Sequence, residues 1–251
     1  MPVAKLPRED GVALSYDYLP GKSPVVVFLP GFASDMGGTK AMFLREECAK
    51  RGQAMLRLDY SGHGASGGRI EEGSIGIWTQ DAARIVEHVA GAEKLLLVGS
   101  SMGGWIALLL ALRFAARVES LLLIAPAPDF TELSVRPQLT PAHLETLLRE
   151  GVIYKPSEYG APLPLTRKLL EDGRDHLLLG GRIGIHCPVQ ILHGMRDEDV
   201  SWQDSLKLAE CLESEAVELS FIKDGDHRLS REQDLLRLGF SLRRLLGEDG
   251  A

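Results

Sequence analysis

Short unbroken apolar runs alternate along this chain with longer stretches in which apolar residues recur at helical spacing. Val25 to Leu29, Ala54 to Asp59, Lys94 to Val98, Ser120 to Ala125, Val189 to Leu192 and Val217 to Ile222 are the short runs. Continuous hydrophobicity over so few residues predicts strands covered on both faces. Lys40 to Arg51, Ile75 to Val89, the apolar stretch beginning at Trp105, Ser201 to Leu212 and Arg231 to Leu246 predict helices. Val12 to Leu19 alternates with period two after Asp10-Gly11, which predicts a hairpin turn and its second strand. The repeated strand–helix units predict an α/β fold, a mostly parallel sheet with helices on both faces. Handed crossovers then bring the C-terminal ends of the strands to one edge, where such sheets build their sites.

The rhythm breaks after Ala125. No buried strand is evident before Cys187, and seven of the thirteen prolines fall between Pro126 and Pro164. Thr140-Pro141 reads as an N-cap followed by proline at the first helical position, opening a helix over Ala142 to Arg149. Leu165 to Glu171 predicts another. We read residues 1–125 and 187–251 as a single α/β core and 126–186 as a lid inserted at its active edge. Leu133, Leu144, Leu147, Leu148 and Ile153 are the candidate apolar contacts for substrate.

A chain of 251 residues is long enough for one sizeable core. The net charge of −7, with no long Lys/Arg run, disfavours nucleic acid as a partner. Cys48, Cys187 and Cys211 cannot complete a paired framework and read as buried free thiols, which fits a reducing compartment. Neither a signal core nor an apolar membrane span is evident, so the expectation is a cytoplasmic protein. No H-E-x-x-H or clustered Cys/His spacing suggests a metal, and no cofactor is implied. The turn Gly62-His63-Gly64-Ala65-Ser66-Gly67-Gly68 fits neither a dinucleotide loop nor a P-loop. The number of copies in solution is not legible.

One turn carries chemistry. Gly99-Ser100-Ser101-Met102-Gly103 joins an apolar strand to an apolar helix, and G-x-S-x-G in that setting exposes a serine hydroxyl on a strained elbow. The register selects Ser101, because centring on Ser100 puts Val98 and Met102 in the glycine positions. A serine needs a base, and the base needs an orienting acid. Asp197, after the strand ending at Leu192, is the candidate acid, with Asp199 as competitor. His227, after the last strand, is the candidate base. The N–H groups of Met102 and Phe32, with Ala33 as alternative to Phe32, are the candidate oxyanion donors.

Gly99 to Trp105, His193-Gly194 with Asp197 and Val200, and Gly225-Asp226-His227 resemble the α/β-hydrolase superfamily across essentially the whole chain. Leu29-Pro30-Gly31-Phe32-Ala33-Ser34-Asp35-Met36-Gly37-Gly38-Thr39-Lys40-Ala41 and Arg57 to Gly64 resemble, more specifically, the α/β-hydrolase domain protein ten family. That resemblance implies the α/β-hydrolase fold and a triad on Ser101, Asp197 and His227. It further implies a serine thioesterase or esterase acting on acyl esters or thioesters, including S-acylated proteins. Carboxylester or acyl-glucuronide cleavage is the alternative activity, and a non-catalytic binding protein of the same fold is the alternative class.

Overall fold

The unbroken apolar runs form the interior of an eight-stranded sheet in a computed structural model that describes residues 3–156 and 162–248. In chain order its strands are β1 (Ala4–Pro7), β2 (Ala13–Leu19), β3 (Lys22–Leu29), β4 (Gln53–Asp59), β5 (Leu95–Ser100) and β6 (Val118–Ile124). A separate hairpin of β7 (Val152–Lys155) and β8 (Leu163–Thr166) follows, before β9 (Val189–Gly194) and β10 (Val217–Ile222) return to the sheet. The spatial order is β1-β2-β4-β3-β5-β6-β9-β10, antiparallel as far as β4 and parallel from there on. This is the mostly parallel sheet predicted from the run pattern.

Successive side chains of a strand point to opposite faces, and both faces are apolar here. Val25, Val27 and Leu29 pack with α2 (Ile75–Ala90) and α3 (Met102–Arg113), and α6 (Trp202–Cys211) adds Leu208 to that side. Val26 and Phe28 face the other way, against Leu44 and Cys48 of α1 (Thr39–Arg51) and Leu238 and Leu242 of α7 (Glu232–Leu245). Cys48 is buried as expected, and burial pushes its thiol up to about 12. Cys187 and Cys211 are free but only partly buried, because they lie where elements meet loops rather than in the core.

Between β6 and β9 the chain forms a π-helical turn (Thr131–Val135), α4 (Pro141–Glu150), the β7–β8 hairpin and α5 (Arg167–Arg174). The helix predicted from Leu165 starts two residues later. Leu165 and Thr166 instead pair with Ile153 and Val152, and the Thr166 hydroxyl accepts the Leu169 N–H at 2.9 Å, capping α5. The segment is tied down at its roots. Asp129, left-handed at φ 58°, accepts the N–H groups of Leu178 and Leu179, both at 2.8 Å. The Trp105 indole donates to the His176 carbonyl at 3.0 Å, and Asp172 accepts the Gly76 N–H at 2.8 Å. Asp129→Ala strands the Leu178 and Leu179 donors without their acceptor, and urea unfolding is expected to show a loss of about 2–3 kcal/mol.

Candidate active site

At the elbow, β5 ends on Ser100 and α3 begins on Met102, leaving Ser101 at φ 55° and ψ −122°. An L residue avoids this region, so the surroundings must hold it there. The Ser101 N–H donates to the Ile124 carbonyl at 2.9 Å, and its carbonyl accepts from Gly104 at 2.8 Å and Ala127 at 3.1 Å. The glycines are required by close approach rather than by their own torsions. A Cβ on Gly99 would overlap the Gly103 carbonyl, and one on Gly103 would overlap the Leu29 carbonyl. Gly31 is less constrained, a Cβ there making a tight contact 3.3 Å from that of Ser101. Ser100 stays within the sheet, paired with Ile124.

The loops after β5, β9 and β10 bring Ser101, Asp197 and His227 together at the sheet's C-terminal edge. His227 Nε2 is 3.0 Å from Ser101 Oγ, and His227 Nδ1 is 2.7 Å from Asp197 Oδ2. The other carboxylate oxygen of Asp197 accepts the N–H groups of Asp199 at 2.9 Å and Val200 at 2.8 Å. Asp199 therefore contributes its backbone to Asp197 rather than its side chain to His227. The Asp197 side chain is wholly buried, and burial pushes its carboxyl upward. Hydrogen bonds from His193 and His227, the charge of His227 and the Val200 N–H outweigh burial and hold it well below the usual carboxylate range. His193, fully buried at the end of β9, places Nε2 3.0 Å from the same Asp197 Oδ2.

Phe32 and Met102 border one cavity with Ser101 and His227, of about 250 Å³. The turn carrying Phe32 is closed by the Ser34 N–H on the Gly31 carbonyl at 3.1 Å, with Ala33 left-handed at φ 55°. Asp59 braces this loop from beneath, accepting the N–H groups of Met36 at 2.7 Å and Ala65 at 2.8 Å. That explains the glycine turn after β4, because a Cβ on Gly64 would strike the Asp59 carboxylate. Phe32 packs against Trp78, His63 and Phe130, joining the loop to α2 and the inserted segment.

The apolar lining of the cavity differs from the residues the sequence suggested. Ala127, Phe130, Val135, Leu163, Leu165 and Val200 supply it. Leu144 and Leu148 lie one helical turn apart on the outer face of α4, 42% and 71% exposed, and Leu133 is 38% exposed. Leu147 is buried but does not border the cavity. Ile153 borders a second hollow of about 100 Å³, which shares Val135, Gln138, Lys155 and Leu165 with the first. The hairpin that carries Leu163 and Leu165 was missed because its strands are only four residues long. Its one signal is the extended Pro162-Leu163-Pro164-Leu165 spacing.

Asp197, Asp199 and His227 place possible ligand atoms within 4.8 Å of one another. Both oxygens of Asp197 and both nitrogens of His227 are already engaged with protein groups, so these donors face each other rather than a shared point. Among the described residues no helix is long and apolar enough to cross a membrane.

A mostly parallel sheet with this elbow defines an α/β hydrolase, and the family described as serine aminopeptidase, S33 matches residues 21–152. The chain is 35% identical over 244 residues to the palmitoyl-protein thioesterase ABHD10, mitochondrial, of Bos taurus, covering 96% of this chain and 78% of that protein. Two solved structures superpose closely. A putative hydrolase from Agrobacterium vitis S4 gives a TM-score of 0.92 at 40% identity, covering 98% of this chain and 99% of the other. The α/β hydrolase domain-containing protein 10 of mouse gives 0.90 at 34% identity, with all of both chains covered. The protein belongs to the ABHD10 family of α/β hydrolases. The cytoplasmic expectation is corrected here, because the cattle, human and mouse relatives are all named as mitochondrial. It rested on the absence of recognisable targeting residues, which says where a signal is not seen rather than where the protein resides.

Proposed function

We propose that this chain is a serine hydrolase that cleaves acyl thioesters, S-acylated protein cysteines among them, through an acyl-enzyme on Ser101. The observation that carries this reading is the continuous relay from Ser101 Oγ through His227 to Asp197, at 3.0 and 2.7 Å, opening into an apolar cavity. Ser101 Oγ attacks the acyl carbonyl while His227 Nε2 takes its proton. Asp197 holds the Nδ1–H tautomer and stabilises the imidazolium that forms. The N–H groups of Phe32 and Met102 receive the developing oxyanion. The tetrahedral intermediate collapses by breaking the acyl carbon–sulfur bond, and the leaving thiol takes the proton from His227. Water, deprotonated by the same nitrogen, then attacks the acyl-serine. The acid departs and Ser101 regains its proton.

The inserted segment supplies the acyl side of this scheme as a lid, with Val135 and Leu165 reaching into the second hollow. Another, more polar cavity of about 310 Å³ also borders Ser101 and His227, with Ser34, Thr39, Lys40, Arg228 and Ser230 in its lining, and it receives the leaving group. This polarity favours a second reading as well, an esterase acting on esters of polar alcohols. Matched thioesters and oxygen esters of increasing acyl length separate the two. We expect kcat/KM to rise roughly fourfold per added methylene, about 0.8 kcal/mol each, until the acyl cavity is full. Thioesters are expected to be preferred at every length. Val135→Trp should abolish the gain from long chains while sparing acetyl substrates. A preference for acetyl esters in the parent enzyme would count against the thioesterase reading.

A further inference from the structure

His193 stands outside the relay, yet it touches the atom on which the relay ends. Its Nε2 faces two acceptors, Asp197 Oδ2 at 3.0 Å and the Val200 carbonyl at 3.2 Å. A nitrogen facing two acceptors must carry the hydrogen. Nδ1 is then bare and accepts the Ser205 hydroxyl at 2.7 Å. Both His193 and Ser205 are fully buried, so the tautomer is set by the protein and not by water. Asp197 Oδ2 consequently receives two imidazole N–H donors, one from His193 and one from His227.

We infer that His193 is a positioning residue that fixes the Asp197 carboxylate against His227 and, by sharing Oδ2, tempers its pull on the His227 proton. The inference rests on the serine-hydrolase reading above. An Oδ2 with a single donor concentrates more negative charge on His227 and stabilises its imidazolium. His227 then keeps its proton to higher pH, where it cannot act as a base. Ser205 acts one step further out, because its hydroxyl, donated to Nδ1, reinforces the Nε2–H tautomer that the two acceptors set and fixes the ring's orientation. This arrangement also explains why the strand carries histidine so deep in the sheet. A buried imidazole unconnected to the site would not need a serine on α6 and a carboxylate four residues on as its two partners.

Other charges face these rings and are common to every variant considered. Glu198 and Asp199 flank Asp197 in its loop, and Asp226 and Arg228 flank His227. Lys40 borders the polar cavity with His227, and on α6 burial raises the carboxyl of Asp204. A shift between variants therefore reports on His193 itself.

The test is kcat/KM for p-nitrophenyl butyrate between about pH 5 and pH 9 in the parent, His193→Ala, His193→Gln and Ser205→Ala proteins. In His193→Ala the acid limb is expected to move to higher pH by about half a unit or more, so activity near pH 6 falls several-fold further than activity near pH 8. Glutamine places an N–H near the lost Nε2 and should return the limb to its parental position. Ser205→Ala should move it in the same direction by less, and it carries the test if His193→Ala does not fold. A limb that stays in place in His193→Ala, or in Ser205→Ala where His193→Ala does not fold, overturns the inference, whether or not activity falls evenly across pH. Loss of Ser101-dependent turnover in the parent is a separate result and would remove the serine-hydrolase reading instead.

Discussion

Ser101→Ala is expected to lower kcat/KM for acyl thioesters and esters by at least about three orders of magnitude while leaving the fold intact. Alanine has no oxygen for His227 to deprotonate, so no acyl-enzyme can form. On the proposed donor assignment, what remains is water attack on a substrate held against the Phe32 and Met102 N–H groups, the kind of residual catalysis a triad knockout leaves. The backbone cost is small, because Ser101 already adopts φ 55° with a Cβ and alanine adds nothing there. A thermal midpoint close to that of the parent, beside the loss of turnover, is the expected pair of results. Substantial turnover in Ser101→Ala would assign the chemistry elsewhere.

Asp197→Asn is expected to cost roughly 10²–10⁴ in kcat, and the reason is geometric. The Asp199 and Val200 N–H groups require an acceptor at Oδ1, so the new amide must place its NH₂ where Oδ2 stood. That NH₂ faces His227 Nδ1 and His193 Nε2, both of which donate in the parent. His227 is driven to the Nε2–H tautomer and has no lone pair left for the Ser101 proton. A stability signature accompanies the kinetic one. The Asp197 carboxyl lies below its unfolded value, so it stabilises the fold above about pH 4 and loses that contribution as pH falls through the folded value. In Asp197→Asn the decline of stability on acidification should be shallower. An unchanged kcat in a folded Asp197→Asn protein would remove Asp197 from the relay.

How much of this was legible before the structure depended on how local each feature is. The sheet was readable because strands such as Val25 to Leu29 are buried on both faces and leave an unbroken apolar run. The positions of Ser101, Asp197 and His227 were readable because each follows its own strand by a few residues, so topology alone carries them to one edge. The cavity lining was not. Leu144, Leu147 and Leu148 are apolar at helical spacing, but the orientation of α4 depends on contacts made by the β7–β8 hairpin, and nothing local sets it. Instead, Leu163 and Leu165, separated by a proline, border the cavity that Ser101 also borders. For His193 the sequence shows only a histidine at the end of an apolar strand. Its place on the oxygen shared with His227 needs three dimensions, since it depends on a serine twelve residues downstream on α6.

The central claim is that acyl groups pass through Ser101, and intact-mass spectrometry of the parent and Ser101→Ala proteins, quenched in acid shortly after mixing with long-chain acyl thioester, addresses it directly. The expected result is a mass increase equal to one acyl group less one hydrogen. Peptide mapping should place it on the segment containing Ser101, and Ser101→Ala should lack it. Turnover of the same thioester with an acyl adduct on another residue, or with the adduct retained in Ser101→Ala, would contradict the account.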